Sequence, residues 1–209
     1  MNSVSIIIAG TGGQGTLLAS KILATAAAAK GLFVRTSETI GMAQRGGCVS
    51  SHLRIGARDL SPIIPEGHGD ILLSFELAEA VRMIPKLRPG AKCVINTDQV
   101  IPTNVALGKG VYLADEYLDL LHKQFPTAAF IEGGKLALAA GDIRTLNVVV
   151  LGAAAGSGTV PFSADELRAA LKLCVKPKLL DMNAKAFELG INAVKTSVKA
   201  KKINKKSQK

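Results

Sequence analysis

Two glycine-rich segments hold the residue types in this chain best suited to grip an anion. The first, Gly10-Thr11-Gly12-Gly13-Gln14-Gly15, has the spacing G-x-G-x-x-G. It follows the apolar run Val4 to Ala9 and precedes a helical pattern, the setting in which such glycines allow a tight turn and let backbone N–H groups approach a phosphate. Glu38, near the end of the next apolar run, stands about where a ribose-binding carboxylate would be sought. Taken alone the motif points to NAD or FAD, or only to close strand–helix packing. The second segment runs from Ser37 to Gly47 and contains Gln44, Arg45, Gly46 and Gly47. An arginine fork and an amide flanked by glycines can meet a carboxylate or phosphate; a solvated surface turn has the same composition.

Other chemistry has less to stand on. Cys48, Cys93 and Cys174 form no C-x-x-C pair, so the chain has no self-contained iron–sulfur or zinc ligand run. Cys48, directly after the paired glycines, is either a reactive thiol near a cleft or a small strand residue. None of His52, His68 and His122 has a partner at metal-ligand spacing. His52 is the one near the glycine-rich segments, and structural hydrogen bonding is its plainer role. No serine lies in a G-x-S-x-G setting.

The elements that must position these residues can be read from periodicity. Val4 to Ala9 is a strand, Thr16 to Lys30 a helix closed by Gly31, and Leu32 to Ser37 a second strand, together of βαβ length. Glu38 to Gly47 reads as loop or short helix and Cys48 to Ile55 as a strand. Further strands are expected at Ile71 to Phe75 and Ala91 to Thr97, with another at Val111 to Ala114. Helices are expected at Glu76 to Leu87, Glu116 to Gln124 and Gly134 to Ala140. Leu146 to Ala155 fits strand or helix, its small residues favouring helix. Ser163 and Glu166 have capping-box spacing before a helix to about Val175, and a last helix covers about Leu179 to Lys199. The expected fold is α/β and Rossmann-like: a mostly parallel sheet, helices on both faces, and the C-terminal helices packed on it.

Composition narrows the class. Of 209 residues, 48% are hydrophobic and only 4% aromatic, so Ala, Val, Ile and Leu must fill the core, as in a sheet buried on both faces. The net charge of +10 suggests nucleic acid, but seven lysines and no acid lie in residues 195–209; without them 19 basic residues face 16 acidic ones. No aromatic residue interleaves with these lysines to stack a base. The expectation is one domain over 1–194 and a lysine-rich, disordered tail over 195–209, with neither nucleic acid nor membrane as partner. Isolated cysteines and the uncharged start Met1-Asn2-Ser3-Val4 suit a cytoplasmic protein rather than an exported one.

Taken in order, the strings GTGGQG (10–15), SETIGMAQRGG (37–47), SSHLRIG (50–56) and SPIIPEG (61–67) resemble the γ-type region of 2-oxoacid:ferredoxin oxidoreductases. The resemblance is nearest to the separate β subunit of the indolepyruvate branch. It continues through ILLSFE (71–76), LRPG before CVINT, IRTLNVVVLGA around Asn147, PFSADELRAAL and NAKAFELG, covering about residues 4 to 192. It implies a complex that decarboxylates a 2-oxoacid oxidatively to acyl-CoA. Thiamine diphosphate with Mg and 4Fe–4S clusters would sit on a large α subunit, coenzyme A would be co-substrate and ferredoxin the electron acceptor. The chain lacks the GDG of a thiamine diphosphate site, so alone it should be inactive, with no catalytic residue and no metal of its own. Its expected ligand-facing residues are Gly10, Gly12, Gly13, Gln14, Gly15, Gln44, Arg45, Gly46 and Gly47. The alternative is a free-standing NAD(P)-binding protein. Without its partner the chain is expected as a homodimer as readily as a monomer.

Overall fold

In the computed structural model, which describes the backbone of residues 3–40, 47–56, 58 and 60–206, six strands form one sheet in the order β2-β3-β1-β4-β5-β6. They are β1 (Val4–Thr11), β2 (Val34–Ile40), β3 (Cys48–Ile55), β4 (Gly69–Ser74), β5 (Leu87–Asn96) and β6 (Ala129–Ile131). Three of the five pairings are parallel, β1 with β4, β4 with β5 and β5 with β6, while β3 runs antiparallel to both β1 and β2. The helices are α1 (Thr16–Ala29), α2 (Leu77–Arg82), α3 (Thr103–Ala106), α4 (Ala114–Gln124), α5 (Gly133–Ala140), α6 (Leu146–Gly156), α7 (Ala164–Cys174) and α8 (Leu180–Lys206).

The expected α/β architecture is present, with one change in its first unit. β1, α1 and β2 follow one another as a crossover, but β3 occupies the place between the two strands. The alternation of Cys48 to Ile55 drives this: Leu53 and Ile55 join the core beneath α1, and antiparallel pairing satisfies β1 along its whole length. Glu38 therefore lies two strands from β1, about 10 Å away at ordinary strand spacing, and is exposed.

Helices cover both faces. Ile6 and Ile8 pack with α1, α5, α6, α7 and α8; Ile7 and Ala9 pack with α2 and α4. The two cores follow from the period of a strand, which sends successive side chains to opposite faces. The order in which strands are added changes side between β1 and β4, which run parallel: β2 and β3 lie to one side of β1, and β4, β5 and β6 to the other.

Several expected elements take different form. The helix from Glu76 is short, α2 giving way to a 3-10 turn at Ile84–Lys86 beside Pro85. Val111 to Ala114 contains no strand: Val111 is exposed, and α4 begins at Ala114. β6, only three residues long, is a strand that the sequence pattern does not show. The lysine run continues α8 as helical backbone to Lys206. The Ser163–Glu166 capping box forms with both reciprocal bonds, 3.2 and 2.8 Å.

The segment that fitted strand or helix is α6, and its ambiguity has a cause. Residues Leu146 to Ala154 are all buried, so no polar face marks the helical period. Its neighbour α8 crosses it at backbone contact. A Cβ added at Gly152 would collide with the Phe187 carbonyl oxygen, and one at Gly190 with the Val149 carbonyl oxygen. Gly190→Ala is expected to destabilise the domain by about 2–3 kcal/mol, since neither backbone can yield without moving a helix. Urea unfolding should show a lower midpoint at unchanged slope.

Candidate functional site

The first glycine-rich loop sits at the C-terminal edge of the sheet, and three of its glycines have a physical reason to be there. Gly13 and Gly15 have φ of 103° and 80°, which side-chain-bearing residues rarely adopt. A Cβ on Gly15 would collide with the Asn147 side chain, whose Nδ2 donates to the Gly15 carbonyl at 3.1 Å. A Cβ on Gly10 would lie 2.7 Å from Gln14 Oε1 and 3.1 Å from Phe75 Cβ. At Gly13 nothing lies within 4 Å, so that position faces open space. Thus Gly10 and Gly15 serve close packing, and Gly13 serves the turn.

The loop's amide groups are largely committed within the chain. Thr11 N–H donates to Gln14 Oε1 at 2.7 Å, Gln14 N–H to the Thr11 carbonyl at 3.1 Å, and Gly12 N–H to the Gly47 carbonyl at 2.8 Å. That last bond joins the two glycine-rich segments. Gly47 is therefore beside Gly12, whereas Gln44, Arg45 and Gly46 lie outside the described residues.

Gln14 also reaches across the sheet. Its Nε2 donates to the Phe75 carbonyl at 3.0 Å, and the same oxygen accepts from Asn96 Nδ2 at 2.8 Å. Asn96 Oδ1 accepts from Gly133 N–H at 2.8 Å, and Asp98 Oδ2 from Gly134 N–H at 2.7 Å. Amides and a carboxylate thus tie the ends of β1, β4 and β5 to the start of α5. Glu76, buried at the head of α2, accepts from Glu79 N–H at 2.8 Å, from Val100 N–H at 3.2 Å and from the Tyr112 hydroxyl. Burial and this carboxylate push the Tyr112 phenol well above its ordinary value, so it stays a donor. Between loop and network lies a cleft of about 320 Å³, lined by Gly13, Gln14, Asp98, Val100, Ile143 and Arg144 among others.

Asn96, Asp98, Asn147 and Glu76 were not singled out as site residues. Their signal in sequence is slight: a polar residue at the end of an apolar strand, or one asparagine in the apolar run of α6. The bonds that tie them to other elements run to residues 21 to 132 positions away.

A family model described as pyruvate ferredoxin/flavodoxin oxidoreductase matches residues 5–193. The chain belongs to that family. The indolepyruvate oxidoreductase subunit IorB of Archaeoglobus fulgidus is 39% identical over 191 residues, covering 90% of this chain and 94% of that one. The γ subunit of a keto/oxoacid ferredoxin oxidoreductase from Geobacter sulfurreducens shares the fold, with a TM-score of 0.65 at 23% identity over 91% of this chain and 97% of the other. The 2-oxoglutarate:ferredoxin oxidoreductase of Magnetococcus marinus aligns with a TM-score of 0.68 at 22% identity, over 94% of this chain but 32% of its own. The same fold therefore occurs as a separate chain and as a third of a longer one.

Members of a pyruvate ferredoxin/flavodoxin oxidoreductase family invite a search for cluster ligands, and these residues do not fit them. Cys93 is buried in the core under α2 and α4, where burial raises its thiol to about 12; Cys174 packs against α1 on the opposite face; Cys48 is exposed at the C-terminal edge. Among the described residues, no group of three His, Cys, Asp or Glu stands close enough to hold a metal ion. Cys48 donates to Glu79 Oε1 at 3.2 Å, and burial together with that carboxylate raises its pKa, which opposes the thiolate a reactive cysteine needs. The nucleotide reading of the first loop fares no better, since β3 separates Glu38 from the loop and Thr11 and Gly12 have given their N–H groups to protein acceptors.

His52 has a structural role. It is buried, its Nδ1 accepts from Ile64 N–H at 3.1 Å, and Nε2 lies 3.3 Å from Ser50 Oγ. Burial, with Lys86 and Arg54 nearby, lowers its pKa below 6.5. The unfolded chain therefore takes up a proton first as pH falls. Stability is whole above about pH 6.5 and declines below it, by up to about 1.4 kcal/mol per pH unit, until the folded pKa is passed. His52→Asn keeps an acceptor near Nδ1 and should remove this component of the acid slope in urea titrations across that range.

Proposed function

We propose that this chain is the small subunit of an indolepyruvate, or aryl pyruvate, ferredoxin oxidoreductase. The complex would convert a 2-oxoacid, coenzyme A and two oxidised ferredoxins into acyl-CoA, carbon dioxide, a proton and two reduced ferredoxins. The observation carrying the reading is the end-to-end likeness to a separate indolepyruvate oxidoreductase subunit. Thiamine diphosphate, Mg and the 4Fe–4S clusters belong in this reading to a large partner subunit, and the assembly to the cytoplasm. No single helix among the described residues is long and apolar enough to cross a membrane.

The chain's own contribution is to shape a wall of the cleft where coenzyme A meets the oxoacid. Chemistry on a charged thioester-forming substrate needs a closed site with fixed donors and little water. The tied edge supplies rigidity: the Gly12–Gly47 bond and the paired amides on the Phe75 carbonyl hold the first loop to the start of β3 and to the ends of β4 and β5. Arg45, together with the backbone after Gly12, is the anion contact in this reading.

The partner docks, in the same reading, on the C-terminal edge. Exposed apolar side chains concentrate on segments leaving it: Leu17 after β1, Ile101, Leu107 and Val111 after β5, Leu138 and Ile143 after β6. Leu107 and Val111 are 68% and 74% exposed, a poor arrangement for a surface left in water.

Two experiments test this. Co-expression with the large subunit should give a stable complex, and L107D/V111D should weaken its assembly at least about tenfold while the small subunit keeps its own unfolding midpoint. In the assembled enzyme Arg45→Ala should raise KM for coenzyme A about tenfold, the worth of one charge-assisted bond. An unchanged KM with normal assembly rules out the anion contact.

A further inference from the structure

The cavity of about 450 Å³ beside the start of α8 has no part in the site described above, though Arg144 lines both it and the cleft. Its wall is divided. Leu18, Val175, Leu179 and Met182 make an apolar side, while Arg144, Lys176 and Lys178 stand at the rim, the charge of Arg144 met by Asp142 and those of the two lysines uncompensated. No carboxylate lines it. Asp142 holds Arg144 through Nε and Nη2, at 2.9 and 2.6 Å, fixing the guanidinium in place. Lys176 and Lys178 are exposed, and no hydrogen bond or ion pair to either side chain is found among the described residues.

Thr145, Cys174 and Asn183 complete the lining. The Thr145 hydroxyl is spent on the Asp142 and Ala137 carbonyls. Leu180 and Asp181, at the start of α8, line the neighbouring groove instead.

We propose that this cavity binds an organic diphosphate, the anion lying among Arg144, Lys176 and Lys178 and an apolar body lying against Leu18, Leu179 and Met182. The volume suits a ligand of nucleotide size, and a half-apolar, half-cationic lining matches a molecule divided in the same way. A bare inorganic anion would leave the apolar side unused, and a neutral apolar compound would leave the charges unanswered. The inference concerns this chain alone and stands apart from the subunit reading, since it needs no partner.

Calorimetric titration of the full chain with ADP and with inorganic pyrophosphate decides it. ADP is expected to bind one to one, more tightly than pyrophosphate, and more weakly as salt is raised. K176Q/K178Q should reduce ADP affinity at least about tenfold, the loss expected when charge-assisted contacts go. Both lysines are exposed, so the thermal midpoint of the double variant should match the parent chain. No heat with ADP, or equal affinity in the double variant, overturns the assignment; adventitious binding to the lysine run of residues 195–209 would give the latter. Pyrophosphate binding as tightly as ADP overturns the role given to the apolar wall.

Discussion

The Phe75 carbonyl oxygen is the point on which the functional edge of this molecule depends. It stands just beyond β4, where backbone pairing has run out, and a buried carbonyl left there would be costly. Two side-chain amides satisfy it, Gln14 from the loop after β1 and Asn96 from the end of β5. Neither can be exchanged for an acid or a hydrocarbon of similar size without losing a donor. Because both amides also accept, from Thr11 N–H and Gly133 N–H, the bond pattern spreads to the first loop and to the start of α5. The glycine-rich turn is therefore less a free cradle than one member of a laced edge.

That lacing bears on how the G-x-G-x-x-G pattern should be read. The spacing reports a tight strand-to-helix turn, and the structure has one. It does not report whether the amides of the turn face a ligand or the protein. Here Thr11 and Gly12 donate to protein oxygens, Gly15 makes room for Asn147, and Gly13 looks onto open space. The insertion of β3 completes the departure from a dinucleotide site, since it moves β2 and Glu38 outward by one strand. The same insertion leaves Cys48 and Gly47 beside Gly12, so that a second glycine-rich segment enters the edge where a simple doubly wound sheet has none.

What could be read beforehand follows how local the cause is. The turn at Gly10–Gly15, the strand Cys48–Ile55 and the Ser163 cap are set by neighbours within a few residues, and all were legible. α6 was ambiguous because complete burial removes the polar face that would have shown its period. β6 escaped because three residues carry no pattern. The apolar stretch at Val111 suggested a strand, whereas its exposure belongs to a surface feature. Asn96, Asp98 and Asn147 were hidden for a different reason: what gives them meaning is a partner far off in the chain, and no spacing rule registers that.

The backbone contact between α6 and α8 has a consequence for how the protein is made. α6 is buried along its length, with the sheet on one side and α1, α5 and α7 bordering it. Its closest neighbour is α8, the last of the described helices, which fits only because Gly152 and Gly190 let the two backbones touch. On a ribosome, residues 146–156 are made before α8, so an apolar helix must wait for the partner that touches its backbone. Vectorial synthesis thus leaves that face of α6 open until residues 180–206 have followed it, and a nascent-chain chaperone would have something to hold in the interval.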